Sequence, residues 1–131
     1  MSSDLIEAAR AARLRAHAPY SKFRVGAAVR DEQGRVFGGC NIENASYPQG
    51  WCAEPSAIAS LIMAGGTKIT EVAVVGAGEG LVTPCGGCRQ KIREFADGDV
   101  NIHVCTEDGT LRRTFTLDEL LPFSFGPDRF R

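Results

Sequence analysis

The sequence predicts an α/β protein, a three-layer α/β/α arrangement around a mixed five-stranded sheet, and three observations carry that prediction. Helical and strand periodicities alternate in the order αββαβαββα, which favours a sheet held between helix layers. The run Glu71-Val72-Ala73-Val74-Val75-Gly76 is almost wholly apolar, as a central strand buried on both faces requires. With 131 residues, 44% of them apolar and 24% charged, the chain is sized for one domain, residues 1–131, with a core large enough to fold without staples.

Each element has its own local reason. Ser3 or Asp4 caps a first helix in which Leu5, Ala8, Ala9, Ala12 and Ala16 recur at helical spacing until Pro19 stops it. β-Favouring residues at 23–30 and 36–41 flank the turn Asp31-Glu32-Gln33-Gly34 and predict an antiparallel hairpin. After an irregular stretch through Asn44, Ser46, Tyr47 and Pro48, Ala57, Ile58, Leu61 and Ile62 mark a second helix over 52–63, closed by Gly65-Gly66. The central strand over 71–76 leads through a glycine-rich loop to a third helix continuing over 90–96. Residues 101–106 and 112–115 read as the last two strands, and 117–121 as a final helical turn.

Charge and composition narrow the function classes. A formal net charge of −1 supplies no field that would gather nucleic acid or an anionic membrane, so a small neutral ligand fits better. Arg10, Arg13 and Arg15 lie among alanines and Glu7, the pattern of a solvated helix face. No stretch approaches the roughly 20 apolar residues of a membrane span, and the opening residues lack a signal-peptide core, so the expected compartment is the cytoplasm. Five cysteines, an odd number, then read as metal ligands, catalytic groups or core residues rather than a disulfide framework.

Two short stretches concentrate the chemistry: Trp51-Cys52-Ala53-Glu54 and Pro84-Cys85-Gly86-Gly87-Cys88. Both lie where a helix is predicted to begin, and free backbone N–H groups there stabilise thiolates. The two cysteines of Cys-x-x-Cys span one helical turn and can face one ion, with Cys52 as the third ligand. Three protein ligands leave the fourth tetrahedral position of Zn²⁺ open, and Glu54 is placed to move protons there. Two other readings stay open: a thioredoxin-like redox pair, which leaves Glu54 unused, and a structural zinc knot, which lacks a fourth ligand. Cys40, Cys105 and His103 are expected in or beside strands as packed residues, and Trp51 as a core anchor in preference to a pocket wall.

Cys-x-Glu followed by Pro-Cys-x-x-Cys resembles the signature of the zinc-dependent nucleobase deaminases, with cysteine where part of that superfamily has histidine. Residues 18–28 (Ala-Pro-Tyr-Ser-Lys-Phe-Arg-Val-Gly-Ala-Ala), 41–47 (Asn-Ile-Glu-Asn-Ala-Ser-Tyr) and 120–127 (Leu-Leu-Pro-Phe-Ser-Phe-Gly-Pro) extend the similarity to the small homotetrameric cytidine deaminases. The resemblance implies the cytidine deaminase fold, a Zn²⁺ cofactor held by Cys52, Cys85 and Cys88, and Glu54 as the proton shuttle. It implies hydrolytic conversion of cytidine and 2′-deoxycytidine to the uracil nucleosides with release of ammonia, in pyrimidine salvage. Asn41 and Glu43 would hold the ribose hydroxyls, Phe23 would stack near the base, and the Ala53 N–H and Thr83 carbonyl would orient it. Phe125 would enter from a neighbouring subunit of a homotetramer, with Tyr20 and Tyr47 near the same contacts. A deaminase of another cytosine compound, such as blasticidin S, and a non-catalytic zinc module are the alternatives.

One position departs from that pattern. The resemblance implies arginine after Cys-Ala-Glu, where this chain has Pro55. Three thiolates on Zn²⁺ leave a formal charge of −1, which opposes deprotonation of a bound water unless donors or positive charge offset it. Helix N-termini and Arg89 are the expected compensation, with Arg24 a further candidate.

Overall fold

The computed structural model describes residues 2–130, so Met1 and Arg131 of the expected 1–131 domain lie outside the described residues. Helix α1 is Ser3–Arg13, strands β1 and β2 are Val25–Asp31 and Val36–Cys40, and α2 is Ala53–Met63. Strand β3 is Ile69–Gly76, α3 is Gly86–Arg93, β4 is Asn101–Cys105, β5 is Leu111–Thr116 and α4 is Leu117–Leu120. Short 3₁₀ turns occupy Tyr47–Gln49 and Pro127–Phe130.

The strands pair in the order β2-β1-β3-β4-β5, with β3 and β4 parallel and every other neighbouring pair antiparallel. Because β1 runs against both β2 and β3, strands β2, β3 and β4 share one direction. Helix α2 links β2 to β3 and α3 links β3 to β4, so both helices begin beyond the carboxyl ends of strands running the same way. In α/β sheets that end is where ligands bind, since helix N-termini and free loops converge there.

Alternation along the strands builds a core on each face. Val29, Val72, Val74 and Ile102 pack with Ala57, Ile58 and Leu61 of α2 and Ile92 of α3. Ala28, Ala73, Val75 and Cys105 point the other way, against Leu5 and Ala9 of α1. The sheet therefore lies between two helix layers, as expected. Gly39 sets the closeness of α2: a Cβ there would stand 2.6 Å from the Ala53 carbonyl oxygen and 2.9 Å from the Ala57 Cα.

The first helix is shorter than its alanine spacing predicts. It ends at Arg13, and Pro19 plays no part in stopping it. The His17 N–H instead bonds to the Asn41 carbonyl at 3.0 Å and the Glu43 N–H to the His17 carbonyl at 2.7 Å, so this segment leaves the helix to pair with the chain beyond β2. Tertiary pairing overrides local helix propensity here.

At the opposite end of the sheet, the β1–β2 turn is tied down by its acids. Buried Asp31 accepts from the N–H groups of Gln33 and Arg35 and from the Arg35 guanidinium at 2.7 Å. Glu32 accepts from the N–H groups of Thr67 and Lys68, both at 3.1 Å, and from the Thr67 hydroxyl. His103 is packed and hydrogen-bonded as expected: its ring lies 2.5 Å from Glu71 Oε2 and 2.8 Å from Thr114 Oγ1.

Candidate active site

Cys52 and Cys85 are the N-cap residues of α2 and α3, both with extended backbone. Cys88 follows in the first turn of α3 and is buried. The topology explains why residues so distant in sequence meet, since each helix start is the first chain beyond a strand end. The three Sγ atoms lie within 4.8 Å of one another, with Cys85 and Cys88 at 3.4 Å. A tetrahedral zinc site with Zn–S bonds of about 2.3 Å needs sulfurs about 3.8 Å apart, so the trio fits the ion with small adjustments. All five cysteines are free thiols.

Electrostatics at the trio are uneven. Burial pushes the Cys52 and Cys88 thiols up. Burial acts on Cys85 as well, but the Cys88 backbone N–H and the two neighbouring sulfurs outweigh it and bring Cys85 down. Three clustered thiols, of which Cys88 is buried and Cys52 and Cys85 are exposed, have much to gain from a soft divalent cation that accepts all of them as thiolates.

Glu54 lies one residue inside α2 and is only 4% exposed. Burial pushes its carboxyl up, opposed by its own backbone N–H and by the neighbouring Cys88 thiol. A carboxyl raised by desolvation beside a cluster that could hold a metal ion is suited to proton transfer. Pro55 occupies the same first turn, where its missing N–H leaves no intrahelical bond unmade.

Arg89, expected to compensate charge at the sulfurs, directs its guanidinium donors to nearby oxygens. Its Nε donates to the Pro84 carbonyl at 2.7 Å, one terminal nitrogen to the Leu120 carbonyl at 2.7 Å and the other to Thr83 Oγ1 at 3.1 Å. The guanidinium thus clamps the loop before Cys85 to the end of α4. The Arg24 carbonyl accepts from Arg13 Nε at 3.1 Å.

A cavity of about 440 Å³ opens onto the trio, and Cys52, Glu54 and Cys85 line it. Phe23, Asn41, Glu43, Ala53 and Thr83 line it too, so every substrate-contact residue expected from the sequence except Phe125 is brought to one place. Phe125 is exposed on the C-terminal segment, which α3 holds by a 2.8 Å bond from Gln90 Nε2 to the Phe125 carbonyl. Trp51 corrects the packing expectation: it is 48% exposed, forms part of the cavity wall and has the Lys91 ammonium 5.4 Å from its ring centre. Tyr20 and Tyr47 are exposed with ring centres 5.9 Å apart, and Tyr47 also reaches the cavity. Val25, Ile42 and Val82 complete the apolar lining. Motif spacing does not pick them out, because which side chains face the opening depends on how β1, the chain beyond β2 and the loop before Cys85 come together.

Comparisons with known proteins agree with this architecture. The family model described as "Cytidine and deoxycytidylate deaminase zinc-binding region" matches residues 1–104, which puts the chain in the class of zinc-dependent deaminases. A cytidine deaminase of Sporosarcina psychrophila is 41% identical over 124 residues, 95% of this chain and 90% of the relative. The crystal structure of cytidine deaminase from Burkholderia pseudomallei superposes with a TM-score of 0.88 at 42% identity, covering 95% of this chain and 99% of the other. The chain belongs to the cytidine deaminase family. A further cytidine deaminase structure, from Bacillus anthracis, shares the fold at 17% identity with a TM-score of 0.70.

Proposed function

We propose that the chain catalyses hydrolytic deamination of cytidine and 2′-deoxycytidine in pyrimidine salvage, with Zn²⁺ held by Cys52, Cys85 and Cys88. The observation that carries this reading is a buried Glu54 carboxyl that lines, with Cys52 and Cys85 of the cysteine trio, a cavity of nucleoside size. A redox pair or a structural zinc knot has no use for that carboxyl.

Bound there, zinc acidifies water so that a nucleophile is available near neutral pH. Glu54 takes the proton released as water adds to C4 and delivers it to N3 of the base. A second proton passes through the same carboxyl to the departing amine, so cytidine and water become uridine and ammonia. Burial of Glu54 keeps bulk water from competing for these protons. The Ala53 N–H and the Thr83 carbonyl orient the base edge, Phe23 stacks on its face, and Asn41 and Glu43 bind the ribose hydroxyls. We further propose a cytoplasmic homotetramer in which the exposed Phe125 of one copy closes the cavity of the next.

The direct test is the fall in cytidine absorbance on adding zinc-loaded protein, with a chelator as control. Conversion to uridine that the chelator abolishes supports the assignment. Absence of conversion by zinc-loaded protein would overturn it.

A further inference from the structure

Beside the cysteine trio, Glu43 is held in a way that its expected sugar contact does not require. Its Oε1 accepts from the backbone N–H groups of Tyr20 at 3.0 Å and Ser21 at 3.1 Å, and its Oε2 accepts from the Ser21 hydroxyl. Ser21 Oγ in turn accepts from the Phe23 N–H at 2.9 Å. The intervening Lys22 adopts φ 63°, a left-handed conformation uncommon for lysine, which folds the chain back toward Ser21. Asn41 braces the same loop, its Oδ1 accepting from the Val25 N–H and its Nδ2 donating to the Phe23 carbonyl, both at 2.9 Å.

We propose that Ser21 is a positioning residue that sets Glu43 to receive a ribose hydroxyl, and thereby governs discrimination between nucleosides with and without sugar hydroxyls. This rests on the deaminase reading above. An ionised carboxylate offers about four lone-pair sites. The Tyr20 and Ser21 N–H groups take two sites on Oε1 and the Ser21 hydroxyl takes one on Oε2, which leaves one Oε2 site for a ligand. The Ser21 hydroxyl fixes where that site lies. Glu43 lines the cavity containing Cys52 and Glu54 and also the neighbouring cavity formed by Tyr20, Ser21, Asn44 and Tyr47. With both N–H groups on Oε1, the Ser21 hydroxyl is the one hydrogen-bond donor to Oε2 among the described residues, and it limits how Oε2 can turn. A group that holds an acceptor for a substrate hydroxyl affects ligands that carry the hydroxyl and leaves others unaffected.

The test compares zinc-loaded wild-type protein with Ser21→Ala, Ser21→Thr, Glu43→Gln and the Ser21→Ala/Glu43→Gln double variant. It measures KM and kcat for cytidine, and the inhibition constant of 2′,3′-dideoxycytidine against cytidine. Ser21→Ala is expected to raise the cytidine KM about tenfold, the scale of one hydrogen bond at a charged group, with kcat held within about twofold. The dideoxynucleoside constant stays unchanged, Ser21→Thr restores KM, and Ser21→Ala adds nothing once Glu43 is Gln. An equal loss for both ligands would overturn the proposal, because it is what a disturbed Phe23 loop would produce. An unchanged cytidine KM would overturn it as well. If the wild type turns over no cytidine, the deaminase reading falls and takes the role of Ser21 with it; the other outcomes strike Ser21 alone.

Discussion

At Glu54 the backbone and the side chain have different duties. Its backbone belongs to the first turn of α2, while its carboxyl is withdrawn from solvent beside the sulfurs. Glu54→Gln keeps the size and the helix position but cannot accept a proton. Zinc content, read by metal analysis of the purified protein, is expected to stay near normal while kcat falls by roughly 10²- to 10⁴-fold. Wild-type turnover by the variant would remove Glu54 from the proton path. The cysteines and Glu54 were legible in the sequence because ligand spacing and a helix start are local properties. The bracing of residues 18–25 by Asn41 and Glu43 was not legible, since it depends on how that loop folds over the end of β2. The clamp that Arg89 forms on the carbonyls of Pro84 and Leu120 is not legible for a similar reason, since adjacency to Cys88 says nothing of which oxygens lie within reach.

Helices and strands came through more completely than single contacts. The hairpin, the central strand and the helices opening at Cys52 and Cys85 lie where periodicity places them, with ends displaced by a few residues. The exception is the carboxyl end of α1, which periodicity extended because alanine spacing says nothing of a backbone partner arriving from β2. Gly39 supplies an element-scale prediction. Gly39→Ala would force α2 away from β2 at the turn that follows Cys52, so we expect a loss of about 1–3 kcal/mol in urea unfolding together with weaker zinc retention. Unaltered stability and metal content would show that α2 adjusts freely.

The turn between β1 and β2 makes a prediction about acid. The N–H groups of Thr67 and Lys68 hold the Glu32 carboxyl down to about 2. A folded-state value below the unfolded one means that the stabilisation is complete above the ordinary glutamate range and is lost as pH falls toward 2. The melting temperature of Glu32→Gln should therefore fall less between pH 5 and pH 3 than that of the wild type. Parallel melting curves for the two proteins would rule out this source of acid sensitivity.

For the molecule as a whole, the cysteine trio joins chain segments far apart in sequence, and bound metal stabilises any fold that presents its ligands together. Chelation should lower the melting temperature by about 10 °C, the scale of a ligand at a hundred to a thousand times its dissociation constant. Calorimetry with and without chelator measures this, and equal midpoints would mean that the ion does not bind at the trio. Assembly was not legible beyond the resemblance, because the exposed Phe125, Tyr20 and Tyr47 show where apolar surface is available without saying what covers it.

The sheet has a chemical end and a quiet end. Asn41, Cys52 and Cys85 gather where β2 and β3 finish, whereas the exposed Gln33-Gly34 turn projects from the far side of the same strands. That polarity suits the protein to being handled: a dye, a peptide epitope or a link to a solid support inserted at Gln33-Gly34 would leave the cavity mouth open to solution. The C-terminal segment is the wrong place for the same cargo, because Gln90 and Arg93 of α3 hold it along the helix that carries Cys88.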